Sequence, residues 1–244
     1  MVSKSQIKLI TSLEQKKYRT KNGLFIVEGK KGIQEFLNST FELETLFTIE
    51  DSFNAPASKT LMVKEEELKK ISRLHSSQTA LALFKIPEET LPELSGLTVA
   101  LDGVRDPGNL GTIIRLCDWF GVKELLCSGD TVDCYNPKVV QASMGSLTRV
   151  KLHYHDLQEV VNNNTQLPVM GTFLEGENVY TATLPASGII ILGNEANGIS
   201  TTVEELVTQK LTIPQFGAEE NTESLNVATA TAILLSEFRR QENY

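Results

Sequence analysis

A regular alternation begins at residue 97 and narrows the possible folds of this chain more than any other pattern. Short runs of consecutive apolar residues are each followed by a stretch with helical spacing. Leu97-Thr98-Val99-Ala100-Leu101 reads as a buried strand, with further strands expected at 122–127, 150–154, 169–174, 188–192 and 211–213. Helices are expected near 110–120, 137–144, 157–162, 202–206 and 224–240. Strands that are apolar throughout must be covered on both faces, and helices between them supply the cover. The pattern therefore predicts an α/β fold with a largely parallel sheet.

A smaller α/β unit precedes this region. Leu24-Phe25-Ile26-Val27, 43–49 and 80–86 are its strand candidates. Ile33, Phe36 and Leu37 have helical spacing, and 64–74 reads as a charged helix. The stretch Pro87-Glu88-Glu89-Thr90-Leu91-Pro92-Glu93 combines prolines and acids in the manner of a linker. The expected organisation is a small domain over 1–88, a linker over 89–96 and a larger domain over 97–244. No internal repeat or low-complexity tract is evident.

With 244 residues, 41% hydrophobic and 22% charged, the chain can bury a core without disulfides or metals. Cys117, Cys127 and Cys134 are odd in number and form no C-x-x-C pair, so neither a disulfide framework nor a zinc site is indicated. A reduced cytoplasm is the expected setting. The N-terminal segment carries charges too often for a signal peptide, and no apolar run reaches the roughly 18 residues of a spanning helix. A soluble, unanchored protein is expected.

The formal net charge of -8 argues against a nucleic-acid partner, but the charge is unevenly placed. Lys4, Lys8, Lys16, Lys17, Arg19, Lys21, Lys30 and Lys31 crowd the first segment, opposed only by Glu14 and Glu28. Acid concentrates in stretches such as Glu65-Glu66-Glu67 and Glu219-Glu220. A local basic face can hold phosphates on an acidic molecule, although such a cluster equally fits the solvated start of an amphipathic helix.

Three segments of the larger unit look unlike ordinary core. In the first, Asp102-Gly103-Val104-Arg105-Asp106-Pro107-Gly108-Asn109 leaves a strand, turns on Gly and Pro, and enters a helix that carries Arg115. Ligands of open α/β sheets sit at such strand ends. Arg115 stands among Ile113, Ile114 and Leu116 and so needs an anionic partner, either a ligand or an acid of the chain. In the second, Ile189-Ile190-Ile191-Leu192 runs into Gly193-Asn194-Glu195-Ala196-Asn197-Gly198, a glycine-bounded loop with one carboxylate. Such a loop suits close backbone approach to a ligand, or a plain turn. In the third, Leu211-Thr212-Ile213-Pro214 ends a strand, and Ser224-Leu225-Asn226-Val227 opens a helix rich in Ala228, Ala230 and Ala232. Ser224 is the expected N-cap, and the helix start can present N–H groups to a ligand.

Other motifs are missing. No G-x-G-x-x-G follows a strand and no P-loop is present, so a Rossmann dinucleotide site and ATP-driven chemistry are not supported. His153 and His155 share a strand face but lack a third metal ligand at a diagnostic spacing, and His75 has no assignable role.

Taken together and in order, the three segments resemble the SpoU (TrmH-type) RNA methyltransferases of the SPOUT superfamily. Asn109-Leu110-Gly111-Thr112-Ile113-Ile114-Arg115, Leu192-Gly193-Asn194-Glu195-Ala196-Asn197-Gly198, and Ile213-Pro214 with Ser224-Leu225-Asn226-Val227 are similar to that family's first, second and third motifs. The resemblance covers about residues 97–241. Phe25-Ile26-Val27-Glu28-Gly29 is similar to the substrate-binding domain of rRNA-directed members.

The resemblance implies a SPOUT-type domain knotted as a trefoil and an S-adenosylmethionine cofactor lined by Leu192, Gly193, Gly198, Ile213 and Leu225. It also implies a homodimer through the last helix. Arg115 would bind phosphate and hydroxyl, with Asn109, Asn226, Glu195 and Ser224 completing the catalytic set. Lys16, Lys17, Arg19, Lys30 and Lys31 are the candidate RNA contacts. The implied activity is methylation of a ribose 2′-hydroxyl, in rRNA rather than tRNA because of the extra N-terminal domain. A non-catalytic RNA-binding or ribosome-assembly factor is the rival from another class. No metal and no membrane partner is expected.

Overall fold

In the computed structural model, described over residues 1–74, 79–88, 94–217 and 224–243, the chain divides into two units. One comprises Met1–Glu89 with Asp133–Thr148, the other Thr90–Val132 with Arg149–Tyr244. His75, Glu219, Glu220 and residues 89–93 of the expected linker lie outside the described residues. The order of elements begins α1 (Lys4–Ser12), α2 (Lys16–Asn22), β1 (Leu24–Glu28), α3 (Lys30–Leu37), β2 (Leu43–Thr48), β3 (Thr60–Met62), α4 (Glu65–Leu68) and β4 (Ala80–Lys85). It continues β5 (Leu97–Asp102), α5 (Pro107–Trp119), β6 (Glu124–Cys127), α6 (Pro137–Ser143), β7 (Lys151–Tyr154) and α7 (Leu157–Asn162). The last elements are β8 (Val169–Asn178), β9 (Gly188–Gly193), α8 (Thr201–Glu204), β10 (Gln209–Thr212) and α9 (Val227–Asn243).

The first unit is built on a sheet of order β1-β4-β2-β3, antiparallel except for the β2–β3 pair. Successive strand residues point to opposite faces, so β1 feeds two apolar layers. Leu24 and Ile26 join Ile10, Leu13, Phe47 and Leu81 on one face. Phe25 meets Phe36, Phe41, Phe84 and Tyr135 on the other. Tyr135 belongs to the Asp133–Thr148 segment, whose helix α6 packs on β1. The charged helix expected over 64–74 shrinks to the short α4. Glu65, Glu66 and Glu67 occupy its first turn, where the helix dipole favours them, and beyond Leu68 the chain turns so that Ile71 is buried.

The second unit holds the sheet that the alternation predicted. Its order is β10-β8-β9-β5-β6-β7, and every ladder is parallel. The two central strands, β5 and β9, are buried along almost their whole length, as continuous apolar runs require. They are paired out to Asp102 and Gly193. The chain leaves β5 toward β6 on one side and leaves β9 toward β10 on the other. The carboxyl ends of β5 and β9 therefore flank a point where strand order reverses, and a crevice forms at such points. At the far edge, the β8 partner of β10 jumps from Gly171 to Glu177 between Lys210 and Leu211, so residues 172–176 bulge from the ladder. Helix α9 buries Val227, Ala228, Thr231, Leu234, Leu235 and Phe238 and packs on α5 and β9. No helix among the described residues is long and apolar enough to cross a membrane.

Candidate active site

Helix α5 starts under firm local control. The Asp106 side chain accepts the Asn109 N–H at 2.8 Å, and Pro107 occupies the first helical position, where a missing N–H costs nothing. Leu110, Ile113, Ile114 and Cys117 form its buried face. At about 3.6 residues per turn, Thr112, Arg115 and Trp119 fall on the opposite side, and all three are exposed. The sequence neighbours Ile113 and Ile114 thus do not bury Arg115; each residue turns away from the last. Arg115 makes no ion pair or hydrogen bond among the described residues, so the alternative of a structural ion pair is not found there. A guanidinium facing solvent is available to an anionic ligand.

The loop after β9 explains both of its glycines. A Cβ on Gly193 would lie 2.1 Å from the carbonyl carbon of Gly198, so only glycine permits this approach. Gly198 has φ +68, the left-handed region where a side chain is strained. The backbones of Asn194 and Gly198 exchange two hydrogen bonds, at 2.9 and 2.8 Å. Inside the turn, Asn194 Oδ1 accepts from the N–H groups of Ala196 and Asn197, and Asn194 Nδ2 donates to the Gly103 carbonyl at 2.6 Å. The turn is therefore closed on itself, anchored to the segment after β5, and it leaves Glu195 exposed.

The third segment corrects one expectation. Asn226, not Ser224, caps α9: its Oδ1 accepts from Ala228 and Thr229 N–H at 3.0 and 3.2 Å. Ser224 is exposed two residues ahead of the cap, too far out to reach the free N–H groups of the first turn, and makes no hydrogen bond among the described residues. The cap also fixes which way the amide points. Because Asn226 Oδ1 faces the helix, its Nδ2 must donate outward, and it does so to Asn109 Oδ1 at 2.9 Å. Asn109 Nδ2 then donates to Glu195 Oε1 at 2.7 Å. Three residues from three separate segments form one directional chain, and its middle member, Asn109, stands in the first turn of α5, the helix that carries Arg115 farther along.

The residues expected to line a cofactor are less tightly knit. Leu192 is buried at the end of β9, Ile213 is half-buried after β10, and Leu225 is 47% exposed before α9. Leu174 in the β8 bulge and Phe216 after β10 are large apolar side chains left open as well. This donor set, apolar side chains beside polar turns, fits a ligand with a flat ring and polar arms. Asn194, Asp102 and Asp106 were not singled out from the sequence as site residues. Asp102 accepts the Ser200 N–H at 2.7 Å and so ties the second loop to β5. Asp102 reaches Ser200 and Asn194 reaches Gly103 far away in the chain, which nothing local marks, whereas Asp106 caps α5 locally, a signal that Asp106-Pro107 carries in the sequence.

In the first unit, Lys16, Lys17, Lys30 and Lys31 are exposed, and Lys30 pairs with Glu50 at 2.9 Å. Arg19 is a correction: it is 2% exposed, its Nε donates to Asp133 at 2.8 Å, and Nη1 donates to the carbonyls of Leu13 and Glu14. A guanidinium so enclosed holds the unit together and cannot reach RNA. His153 is engaged with Glu124 at 2.6 Å, and no metal-binding group of three or more His, Cys, Asp or Glu occurs among the described residues.

A parallel α/β sheet with polar loops converging at its switch point defines an α/β enzyme-like domain, and comparison with known proteins makes the class specific. The model of the SpoU rRNA Methylase family matches residues 96–236, and that of the MRM3-like substrate binding domain matches residues 4–82. The chain belongs to the SpoU rRNA methylase family. It is 30% identical to the 23S rRNA (guanosine(2553)-2′-O)-methyltransferase of Bacillus subtilis, over 93% of each chain. A structure from Porphyromonas gingivalis, assigned to the TrmH family of RNA methyltransferases, superposes with a TM-score of 0.91 at 40% identity, over 99% of each chain. An AdoMet-bound rRNA methyltransferase from Sinorhizobium meliloti superposes with a TM-score of 0.87 at 29% identity, covering 98% of this chain and 97% of that one.

Proposed function

We propose that this protein is an S-adenosylmethionine-dependent methyltransferase that modifies a ribose 2′-hydroxyl of ribosomal RNA. The observation that carries the reading is the Asn226–Asn109–Glu195 chain, with Arg115 about 9 Å farther along α5 and paired with no side chain among the described residues. Likeness along nearly the full length to a 23S rRNA 2′-O-methyltransferase supports rRNA over tRNA.

S-adenosylmethionine, when bound, supplies a methyl group already activated by its sulfonium. Leu192, Gly193, Gly198, Ile213 and Leu225 would hold it. The chain's remaining task is to orient a poor nucleophile. Arg115 holds the ribose hydroxyl and the neighbouring phosphate. A guanidinium keeps its proton, so Arg115 orients the hydroxyl while the phosphate assists proton removal. Asn109 and Asn226 hold the groups around it, Glu195 orders the loop after β9, and Ser224 is left as a polar contact at the approach to α9.

The segment 1–88 takes the RNA through Lys16, Lys17, Lys30 and Lys31, while residues 97–244 carry the chemistry. The C-terminal domain is proposed to contain a trefoil knot. Two copies are proposed to pair through the α5–α9 face, where Trp119 is 84% exposed one turn beyond Arg115. The setting is cytoplasmic.

Calorimetry with S-adenosylmethionine and transfer of labelled methyl to ribosomal RNA from cells lacking the protein test the reading. Cofactor binding and transfer are expected. Arg115→Ala should abolish transfer with cofactor affinity and stability nearly unchanged, since an exposed side chain typically shifts stability by less than about 0.5 kcal/mol. Absence of binding at millimolar cofactor would overturn the proposal.

A further inference from the structure

Gly103, at the turn after β5, is gripped at both of its polar groups. Its carbonyl accepts from Asn194 Nδ2 at 2.6 Å, and its N–H donates to Ser128 Oγ at 2.9 Å. Ser128 comes directly after β6, where its own N–H is fixed by the Leu101 carbonyl at 2.9 Å. Its hydroxyl donates to Asp130 Oδ1 at 2.7 Å, which leaves the oxygen lone pairs turned toward Gly103. Asp130 Oδ2 in turn holds Arg105 at 2.9 Å. The Ser128 hydroxyl and, after it, Arg105 keep the Asp130 carboxyl below the usual carboxylate range, so it stays an acceptor. Gly103 has φ +75, and a Cβ there would come within 3.1 Å of Asp130, so the turn tolerates little else.

We infer that Ser128 is a positioning residue for the proposed methyl transfer: through the Gly103 peptide groups and Asn194 it holds the 194–198 turn that presents Glu195 to Asn109. The connection is continuous. Asp130 orients Ser128, Ser128 sets the Gly103 turn, and the Gly103 carbonyl anchors Asn194, whose amide oxygen organises the turn. Glu195 then meets Asn109, and Asn109 meets Asn226. Neither Ser128 nor Asp130 touches that last trio. Removing the Ser128 hydroxyl strands the Gly103 N–H and frees the turn to drift, and small misplacements of orienting groups weigh on the turnover step more than on binding.

The inference rests on the methyltransferase reading, and two measurements keep their failures apart. Amide hydrogen exchange on the protein without substrate needs no activity. Ser128→Ala should speed exchange at Asn194 and Gly198, whose N–H groups close the turn, and Ser128→Thr, which keeps the hydroxyl, should restore it. In methyl transfer to ribosomal RNA from cells lacking the protein, Ser128→Ala should lower kcat roughly tenfold with KM for S-adenosylmethionine changed far less, and Ser128→Thr should recover most of it. Asp130→Ala should give the same pattern more weakly. Unchanged exchange at 194–198 in Ser128→Ala, or a kcat equal to wild type, overturns the role of Ser128. A wild-type protein that transfers no methyl overturns the reading on which it stands.

Discussion

Asn226 Nδ2 donates to Asn109 Oδ1 at 2.9 Å, while Asn226 Oδ1 caps α9. One amide thus performs two tasks with opposite polarity, and they can be separated. Asn226→Asp keeps an acceptor for the helix, where Asp caps as well as Asn, but has no donor for Asn109. It should leave the melting temperature nearly unchanged and lower kcat by roughly 10- to 100-fold. Asn226→Ala should lose both, with about 1 kcal/mol of stability gone. Thermal melts and methyl-transfer assays on the two variants check the separation.

Gly193 is defined by the backbone it meets. Gly193→Ala forces a methyl group into the Gly198 peptide, and the 193–198 turn must open. The expected cost is about 1–3 kcal/mol of stability, together with weaker S-adenosylmethionine binding measured by calorimetry. Gly198→Ala adds strain at φ +68 but meets nothing within 4 Å, so it should cost less than Gly193→Ala.

Glu237 gives α9 an acid-sensitive anchor. Its carboxylate accepts from Arg240 and Gln241, and the same Gln241 reaches the Ala182 carbonyl and the Leu184 N–H. The Arg240 hydrogen bond, then that of Gln241, lowers its pKa from 4.5 to about 2. A depressed carboxyl favours the folded state above its unfolded value, so this contribution is complete above about 4.5 and is lost as pH falls toward 2. Glu237→Gln should flatten that acid limb, as read from urea midpoints across the window.

Arg19 and the exposed lysines should behave oppositely. Arg19→Ala leaves Asp133 without its cation and should cost about 3–5 kcal/mol, with no specific effect on RNA affinity of the folded protein. Lys16→Ala and Lys17→Ala should leave stability within about 0.5 kcal/mol. Each should reduce the salt dependence of RNA binding by a slope of about 0.7–0.9. Denaturation and salt-titrated binding curves separate the two cases.

Local pattern accounts for much of the second unit. The expected strand at 188–192 is β9, Gly188–Gly193, and the helix at 157–162 is α7. Both carry a burial signal within their own residues, and such a signal survives whatever packs outside. Differences arise where the signal ends. The capping position moves from Ser224 to Asn226 because Ser and Asn cap equally well, and the choice depends on where α9 meets β9 and α5. The bulge at 172–176 leaves no mark in the sequence because it is a mismatch between two strands and belongs to neither alone.

The amino-acid pattern alone is enough to show that residues from 97 onward form alternating strands and helices, that Gly193 and Gly198 bound a turn, and that Asn109, Glu195 and Asn226 stand at segment ends, with Arg115 farther along its helix. Burial period and turn chemistry are local properties, and local residues suffice to set them. Which of these side chains meet is set by the folded sheet. Asn109 is 86 residues from Glu195 and 117 from Asn226, and their hydrogen bonds exist because the sheet sets β5 beside β9 and α9 against α5. The same holds for Arg19, whose cationic neighbours in sequence suggested a surface and whose partner, Asp133, lies 114 residues on. A polar side chain takes its role from the partner it reaches, and strand order, not spacing along the chain, brings that partner within hydrogen-bonding distance.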